Sequence, residues 1–367
     1  MNQAVLDQFC GGGHMGYLPK ISVIITCYNY ASYVCQSIDS VLSQSYQNKE
    51  LIVVDDCSDD ESRELIANYG EALTRVFHET NMGQAGAFNS GFSKSTGDIV
   101  IFLDADDFLE CDALNSVSEA FLKLYSVSMY RMNLVDSRGK FLDLHPKPEQ
   151  RFDSGDLKSM VLRRGRITGT VTSGLVFNRS FLNQVLPIPV TDFKQGADGY
   201  LMTLAPLFGI VGDGEAIVLS NYRKHGGNHS DFSRALEKRA CWSIQHDNAR
   251  YDSLRDFASR LELEIREPLG SRDYLYLEQN VALLLFSEAS GIETRALYKS
   301  RLSILIPGLA SVRNQNLTVA NSIIMGLWWL SIILFPKTWS REFYSWNKKP
   351  ESRPGFLRAV SKFLRRI

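Results

Sequence analysis

Apolar runs that stop abruptly at polar side chains constrain this fold more than any other feature. Ile21-Ser22-Val23-Ile24-Ile25 gives way to Thr26-Cys27-Tyr28-Asn29, and Leu51-Ile52-Val53-Val54 to Asp55-Asp56. Ile99-Val100-Ile101-Phe102-Leu103 ends at Asp104-Ala105-Asp106-Asp107. Short Val- and Ile-rich runs of this kind read as strands buried on both faces, as in a parallel sheet. Between the first two, Tyr33, Ile38, Val41 and Leu42 recur at helical spacing until Gln47-Asn48 breaks the pattern. Further helices are predicted over 59–69 and about 83–95, the latter after Asn81-Met82-Gly83, with a strand near 73–78. Four strands alternating with three helices predict an α/β fold: a Rossmann-like, mostly parallel, doubly wound sheet with right-handed crossovers. Open α/β sheets bind ligands at the carboxyl ends of their strands. Carboxylates accumulate at those ends here, and like charges stacked together call for a cation or a ligand.

At 367 residues the chain has room for one elaborated domain or two. Residues 1–19 read as a flexible arm without the basic start and long apolar core of a secretion signal. Gly11-Gly12-Gly13-His14 lacks the Lys-Ser/Thr ending of a phosphate loop. The sheet domain is expected to span 20–232, with strand-like pieces at 126–134 and 170–177. Turns are expected at Ser137-Arg138-Gly139 and from Asn221 to Asn228. A helical extension follows over 233–312, with apolar faces around Tyr274–Leu277 and Val281–Phe286. Cysteines 10, 27, 35, 57, 111 and 241 show no paired spacing, which argues against a zinc cage or disulfide framework and suits a reducing cytoplasm.

Charges nearly cancel, to a formal −1, yet the segment 313–367 is strongly basic. Its apolar stretch Ala320–Phe335 is shorter than the roughly 20 residues of a spanning helix. Trp328, Trp329, Trp339 and Trp346 beside Lys337, Arg341, Lys348 and Lys349 suggest an interfacial anchor on anionic lipid. Phe356, Leu357, Val360, Phe363, Leu364 and Ile367 then share one helical face, with Arg358, Lys362, Arg365 and Arg366 on another. The expectation is a cytoplasmic protein held on the inner face of the cell membrane by this tail. The alternative is a helical pair packed on the protein's own core or on a second copy in a homo-oligomer. Basic residues gathered at one end instead of along a groove argue against nucleic acid as a partner.

Taken in order, Val23–Asn29, Val53–Asp60, Asn81-Met82-Gly83 and Phe102–Asp107 resemble family 2 glycosyltransferases over about residues 20 to 230. The resemblance implies a GT-A fold and an inverting transfer of a sugar from a nucleotide-sugar, with a UDP-sugar favoured. It implies a glycan or lipid-linked acceptor, bacterial surface polysaccharide assembly as the setting, and Mn2+ or Mg2+ as cofactor. Asp56 would accept the uracil imide N–H, Thr26 and Tyr28 would line the base pocket, and Asp55, Asn81, Gly83 and Asp104 would complete the nucleotide site. One of Asp55 and Asp56 has the alternative of capping the following helix. Asp104 and Asp106 are similar to the family's D-x-D: Asp106 would hold the metal, Asp104 would face the ribose or the metal, and Asp107 has the alternative of a simple polar turn.

Gln195–Leu201 resembles the family segment that carries the catalytic base, which places Asp198 in that role, with a helix N-cap as its alternative. Many members have Glu-Asp there; this chain has Ala197-Asp198. Tyr222–Ser230 resembles a closing loop, in which His225 would reach metal or phosphate and Arg223 would pair with phosphate. His14, His78, His145, His229 and His246 are assigned to the surface without a functional role, and Arg63, Arg75 and Lys94 to solvated surface charges. Thr172-Ser173-Gly174-Leu175 would leave room for an acceptor or merely begin a strand. Two rivals stand beside this reading. A sugar nucleotidyltransferase would want a Gly-rich, basic loop after the first strand, which Thr26–Tyr30 is not. A non-catalytic scaffold or partner subunit would not need all of Asp56, Asp104, Asp106 and Asp198.

Overall fold

The computed structural model describes residues 18–120, 124–226, 236–286, 298–313 and 319–348. The first part of the N-terminal arm, Gly227–Ser230 of the expected closing loop, and the amphipathic segment 356–367 lie outside the described residues. The predicted alternation is present. It runs β1 (Ile21–Cys27), α1 (Val34–Leu42), β2 (Lys49–Asp55), α2 (Ser62–Ala67), β3 (Thr74–Phe77), α3 (Gly83–Lys94) and β4 (Ile99–Asp104). β1 lies parallel between β2 and β4, with Thr26 level with both Val54 and Asp104, so the acidic strand ends stand in one row.

Side chains alternate across the pleat and divide the core into two layers. Ile24, Ile52, Val54, Val100 and Phe102 face one side, where Phe88 of α3 stacks on Phe102 with ring centroids 3.9 Å apart. Val23, Ile25, Val53, Ile101 and Leu103 face the other, against Ile38 and Val41 of α1. Helices on both faces make the sheet doubly wound, as predicted. Gly91 lets α3 lie close: a Cβ there would sit 2.3 Å from Ile24 Cγ2.

The second half turns the sheet mixed. β5 (Phe108–Leu109), α4 (Ala113–Ala120), β6 (Tyr125–Val135), β7 (Phe141–His145), α5 (Lys158–Arg164), β8 (Leu175–Asn178), α6 (Arg179–Val185), α7 (Ala197–Phe208) and β9 (Ile210–Arg223) follow in chain order. The sheet reads β3-β2-β1-β4-β8-β6-β9-β5, with β7 on β6. Two expectations are corrected here. The piece at 170–177 contains a 3-10 turn, Thr172–Gly174, before a strand of only four residues. Asn221–Arg223 is the end of a long strand, because β6 and β5 pair with it from either side and override the local turn preference.

The helical extension shares its core with the sheet domain. Ile244, Tyr251 and Leu254 of α8 (Leu236–Arg260), and Leu277, Val281 and Leu285 of α9 (Tyr274–Phe286), belong to the same apolar cluster as Leu201 and Leu204 of α7. A buried ionic knot fastens them: Arg166 donates to Asp247 and Asp273, Arg250 to Asp247, Thr203 and the Gly165 carbonyl, and Tyr251 to Asp273. Burial alone would raise the Asp273 pKa, but the charge and hydrogen bond of Arg166 outweigh it and hold the group low.

Three more helices close the described chain: α10 (Arg301–Val312), α11 (Val319–Leu334) and α12 (Lys337–Lys348). The tryptophan anchor is corrected in part. Trp329 is fully buried, and a Cβ at Gly308 would lie 2.7 Å from its ring, so glycine lets α10 close on it. Trp328 donates its indole N–H to the Phe343 carbonyl, while Trp339 stays 58% exposed. The pair at 328 and 329 is apolar core because α10, α11 and α12 fold on one another. Among the described residues, no helix is long and apolar enough to cross a membrane.

Removing one member of a buried ionic group strands the rest, so Asp273→Ala is expected to cost about 3–5 kcal/mol. The urea midpoint should fall accordingly, and an unchanged midpoint would deny the knot its role.

Candidate functional site

The row of acids at the ends of β2 and β4 is the centre of the site, and each acid has a different environment. The loop after β1 is tied to the loop after β2: Asn29 N–H donates to Ser58 Oγ, Asp59 N–H to Asn29 Oδ1, and Ala31 N–H to Asp60 Oδ2, each at 2.9 Å. Asn29 and Cys57 take left-handed backbone, at φ 61° and 67°, which lets both loops turn sharply. Tyr28, 43% exposed, lines a cavity of about 340 Å³ with Asn29, Tyr30, Tyr33, Asp60 and His225.

Asp56 is buried and accepts from His78 Nδ1 at 2.7 Å, Met82 N–H at 2.8 Å and Gly83 N–H at 2.7 Å. A carboxylate has about four acceptor positions, so one remains for a base. Asn81 donates to the Asp56 carbonyl, and Gly83, with φ 72°, packs where a Cβ would meet the Lys194 carbonyl. Asn81 and Gly83 therefore position Asp56. Asp55 is fully buried; its Oδ1 accepts from Ser58 N–H and lies 3.4 Å from Arg63 Nε. It braces the turn, the role closer to its capping alternative.

His78 and Arg63 are corrected from surface roles. The His78 ring sits between Asp56 and Ser90 Oγ, 2.8 Å away, and Arg63 donates to the His78 carbonyl at 2.6 Å. The buried carboxylates of the strand ends recruit both.

At the end of β4 the acids crowd. Burial, then the charges of Asp106 and Asp198, push the Asp104 pKa up to about 8. Asp107 is pushed well above the usual carboxylate range by burial and by Asp106 and Asp104. Asp106 Oδ2 lies 2.9 Å from His225 Nε2, and that imidazole packs against Tyr33 and edge-on to Tyr30. Arg223 corrects the phosphate expectation. It is 1% exposed, donates from its backbone to Asp107 and from its guanidinium to Asp106 O, Ser137 O and Gln36 Oε1, and lies over Tyr33 and Phe108. It is a clamp beneath the acids.

Asp198 stands in the first turn of α7. Gly196, left-handed at φ 76°, holds the N-cap position, so the capping alternative does not describe Asp198, whose Oδ1 accepts from Gly199 N–H. Its charge bears on Asp104, so the two carboxylates lie near each other. Gln84 joins them: its Nε2 reaches Asp104 Oδ1 and Thr172 Oγ1, and its Oε1 accepts from Gly196 and Ala197 N–H, both at 3.0 Å. Sequence reasoning missed Gln84, whose partners lie 20 to 113 residues away. Thr172-Ser173 stands beside Asp104, since Ser173 Oγ accepts the Asp104 N–H.

Among the described residues, no three His, Cys, Asp or Glu side chains are grouped to enclose a metal. A divalent cation that takes one or two carboxylates and completes its shell with phosphate and water needs no such cage. Crowded hard oxygen donors at the half-buried Asp104 and the buried Asp106 fit that kind of ion.

This mixed sheet, with a cavity beside the loops after β1 and β2 and acids at the end of β4, is of the GT-A class. The model of the family described as Glycosyl transferase family 2 matches residues 22–186. A Nostoc sp. protein described as an uncharacterized glycosyltransferase is 34% identical over 263 residues, covering 70% of this chain and 81% of the relative. A Bacillus subtilis protein, TuaG, described as a putative teichuronic acid biosynthesis glycosyltransferase, is 37% identical over 150 residues, 39% of this chain and 59% of the relative. The fold is similar to that of S. aureus TarS 1-349 in complex with UDP-GlcNAc, with TM-score 0.50, 18% identity and coverage of 90% and 92% of the two chains. It is also similar to PcManGT from Pyrobaculum calidifontis in complex with GDP-Man and Mn2+, with TM-score 0.51, 18% identity and coverage of 90% and 85%. The chain belongs to glycosyl transferase family 2 and is a glycosyltransferase.

The raised Asp104 pKa has a stability consequence of definite sign. Between the ordinary value of 3.8 and about 8 the unfolded chain has lost a proton that the fold retains, so metal-free protein loses stability as pH rises through that window. Below 3.8 both states are protonated and the penalty vanishes. Asp104→Asn should flatten that slope in thermal melts with EDTA; parallel curves for both proteins would contradict the crowding.

Proposed function

We propose that the protein is an inverting, metal-dependent transferase that moves a sugar from a UDP-sugar to a glycan or lipid-linked acceptor in bacterial surface polysaccharide assembly. One observation carries this: Gln84 bridges Asp104, at the end of β4 beside Asp106, to the turn of α7 that bears Asp198, whose charge bears on Asp104. Relatives support the setting: TuaG is described for teichuronic acid biosynthesis, and solved neighbours hold UDP-GlcNAc or GDP-Man with Mn2+.

Tyr28 and Thr26 flank the base and Asp56 offers its remaining acceptor position to it. Asp106 and Asp104 would hold Mn2+ or Mg2+, beside His225. When bound, the cation neutralises charge developing on the departing diphosphate. Asp198 accepts the proton of the acceptor hydroxyl as its oxygen bonds to the anomeric carbon. The bond from that carbon to the diphosphate oxygen breaks on the opposite face, and the diphosphate leaves with the electron pair. The scaffold and nucleotidyltransferase rivals are disfavoured by the set of acids and by the loop after β1.

Calorimetric titration of UDP with manganese is expected to show binding with Kd on the order of micromolar. Asp106→Asn or EDTA should weaken it at least about tenfold, the effect of about 1.4 kcal/mol. Asp198→Asn should retain UDP and lose transfer by roughly 100- to 10,000-fold. UDP that binds under no condition, with GDP that does, would reassign the donor.

A membrane role also has a structural basis. Leu302 and Ile306 of α10 and Ile323 and Leu327 of α11 are exposed, and α12 carries Lys337 and Arg341. This apolar surface with cations beside it suits anionic lipid. The protein should cosediment with phosphatidylglycerol vesicles, less so with Ile306→Ser/Leu327→Ser. Concentration-dependent dimerisation without vesicle binding would instead assign the face to a homo-oligomer.

A further inference from the structure

Gly196, the residue from which α7 starts, is held at both of its backbone polar groups by side chains from other helices. Gln84 of α3 accepts the N–H of Gly196 and of Ala197, both at 3.0 Å, and its own backbone N–H donates to the Lys194 carbonyl at 2.8 Å. A glycine at the N-cap has no side chain to satisfy such helix donors, so Gln84 supplies the cap from α3. The carbonyl of Gly196 is taken by His246 of α8, whose Nε2 lies 2.9 Å away. A carbonyl only accepts, so the imidazole donates there. His246, expected at the surface, is instead half-buried against the turn that bears Asp198.

We propose that His246 is a positioning residue for Asp198, its N–H holding the Gly196 carbonyl so that the helical extension keeps this carboxylate in register with the donor acids. The proposal rests on the reading of Asp198 as the base of a glycosyl transfer.

The hydrogen bonds run without a gap from the imidazole to the carboxylate. Gly199 N–H is shared between the Gly196 carbonyl at 3.0 Å and Asp198 Oδ1 at 2.9 Å, so His246 and the carboxylate are linked through one donor and one acceptor. On the other side of the same residue, Gln84 continues to Asp104 Oδ1 at 3.4 Å.

The imidazole is also closely fitted. A Cβ at Gly196 would lie 2.5 Å from His246 Nε2, and one at Gly199 would lie 2.8 Å from its Cε1. Glycine at both positions lets the ring reach the backbone. Trp242 stacks on the ring at 5.1 Å with 16° between planes, and Phe193 meets it edge-on at 5.6 Å. Burial, then the charge of Arg250, lower the His246 pKa, and a neutral ring that donates from Nε2 carries its proton there. A catalytic group displaced by about 1 Å loses on the order of 100-fold in rate. The acids at the ends of β2 and β4 hold their places without His246, so loosening this turn is expected to act on turnover and to spare donor binding.

Three variants of the full chain test this. His246→Phe keeps a flat ring against Trp242 but has no N–H, His246→Gln keeps an N–H without the ring, and His246→Ala removes both. The rate is read as UDP released from UDP-glucose, UDP-galactose and UDP-N-acetylglucosamine with manganese and water as the acceptor. His246→Phe should lose roughly 10- to 100-fold in rate. Its UDP titration with manganese should stay within about twofold of wild type, which also reports a folded protein. His246→Gln should recover most of the rate. Because His246 and Trp242 line a cavity of about 430 Å³, free imidazole should enter His246→Ala and restore part of its rate. Hydrogen-exchange mass spectrometry should show faster exchange in segment 194–200 of His246→Phe, with the segments of β1, β2 and β4 unchanged. Wild-type rate and exchange in His246→Phe would overturn the assignment, as would equal losses in the Phe and Gln variants with no rescue by imidazole. A wild type that binds UDP but releases none from these donors would count against the donor reading, and the exchange data would then decide the role of His246 by themselves.

Discussion

Negative charge buried at the carboxyl ends of parallel strands is the constraint to which the rest of this structure responds. Because β1 is in register with both β2 and β4, Asp55 and Asp56 stand in line with Asp104, and Asp106 and Asp107 follow immediately. Desolvated carboxylates must be paired, protonated or ligated. Each remedy recruits a distant piece of chain. His78 and the N-terminus of α3 answer Asp56, Arg223 answers Asp107, and His225 answers Asp106. The need to bring Arg223 under the acids accompanies the long β9 and its pairing with the short β5.

The acids then separate by what is left to them. Asp55 and Asp56 are buried and engaged by backbone donors, so they shape loops, whereas Asp107, although it accepts from Arg223 N–H, stays well above the usual carboxylate range. Asp104 is held as much by repulsion as by bonding: Gln84 and Thr172 bond its side chain, yet burial and the charges of Asp106 and Asp198 keep its pKa raised. That electrostatic cost is what the proposed cation site rests on. The helical extension works on the same site from behind. His246 of α8 fastens the Gly196 turn, and the Arg166, Asp247, Asp273 and Arg250 knot fastens α8 and α9 to the sheet domain. The position of Asp198 thus depends on residues far outside the segment that bears it.

Much of the sheet half was legible in the chain because its signals are local. Buried strands announce themselves as unbroken Val and Ile runs, α1 and α3 by helical spacing, and the acids by their place after each run. Arg223, His78, Arg63 and Gln84 were misread or passed over because an Arg, His or Gln in a polar stretch carries no local mark of its partner. Trp328 and Trp329 were misread for a related reason: aromatic residues beside lysines look interfacial until a neighbouring helix covers them. Asn221 looked like a turn because its local preference was visible and the two strands that pair with it were not.

The sequence by itself determined the α/β alternation and the acids at the ends of β2 and β4. Each follows from periodicity or from neighbours a few residues apart. Only the tertiary structure decided which acids are braced and which stay strained, that Gln84 links Asp104 to the Asp198 turn, and that Trp242 faces a cavity behind it. Those outcomes depend on burial and on contacts between residues many tens of positions apart, and desolvation acts on a charge only once the fold has closed around it.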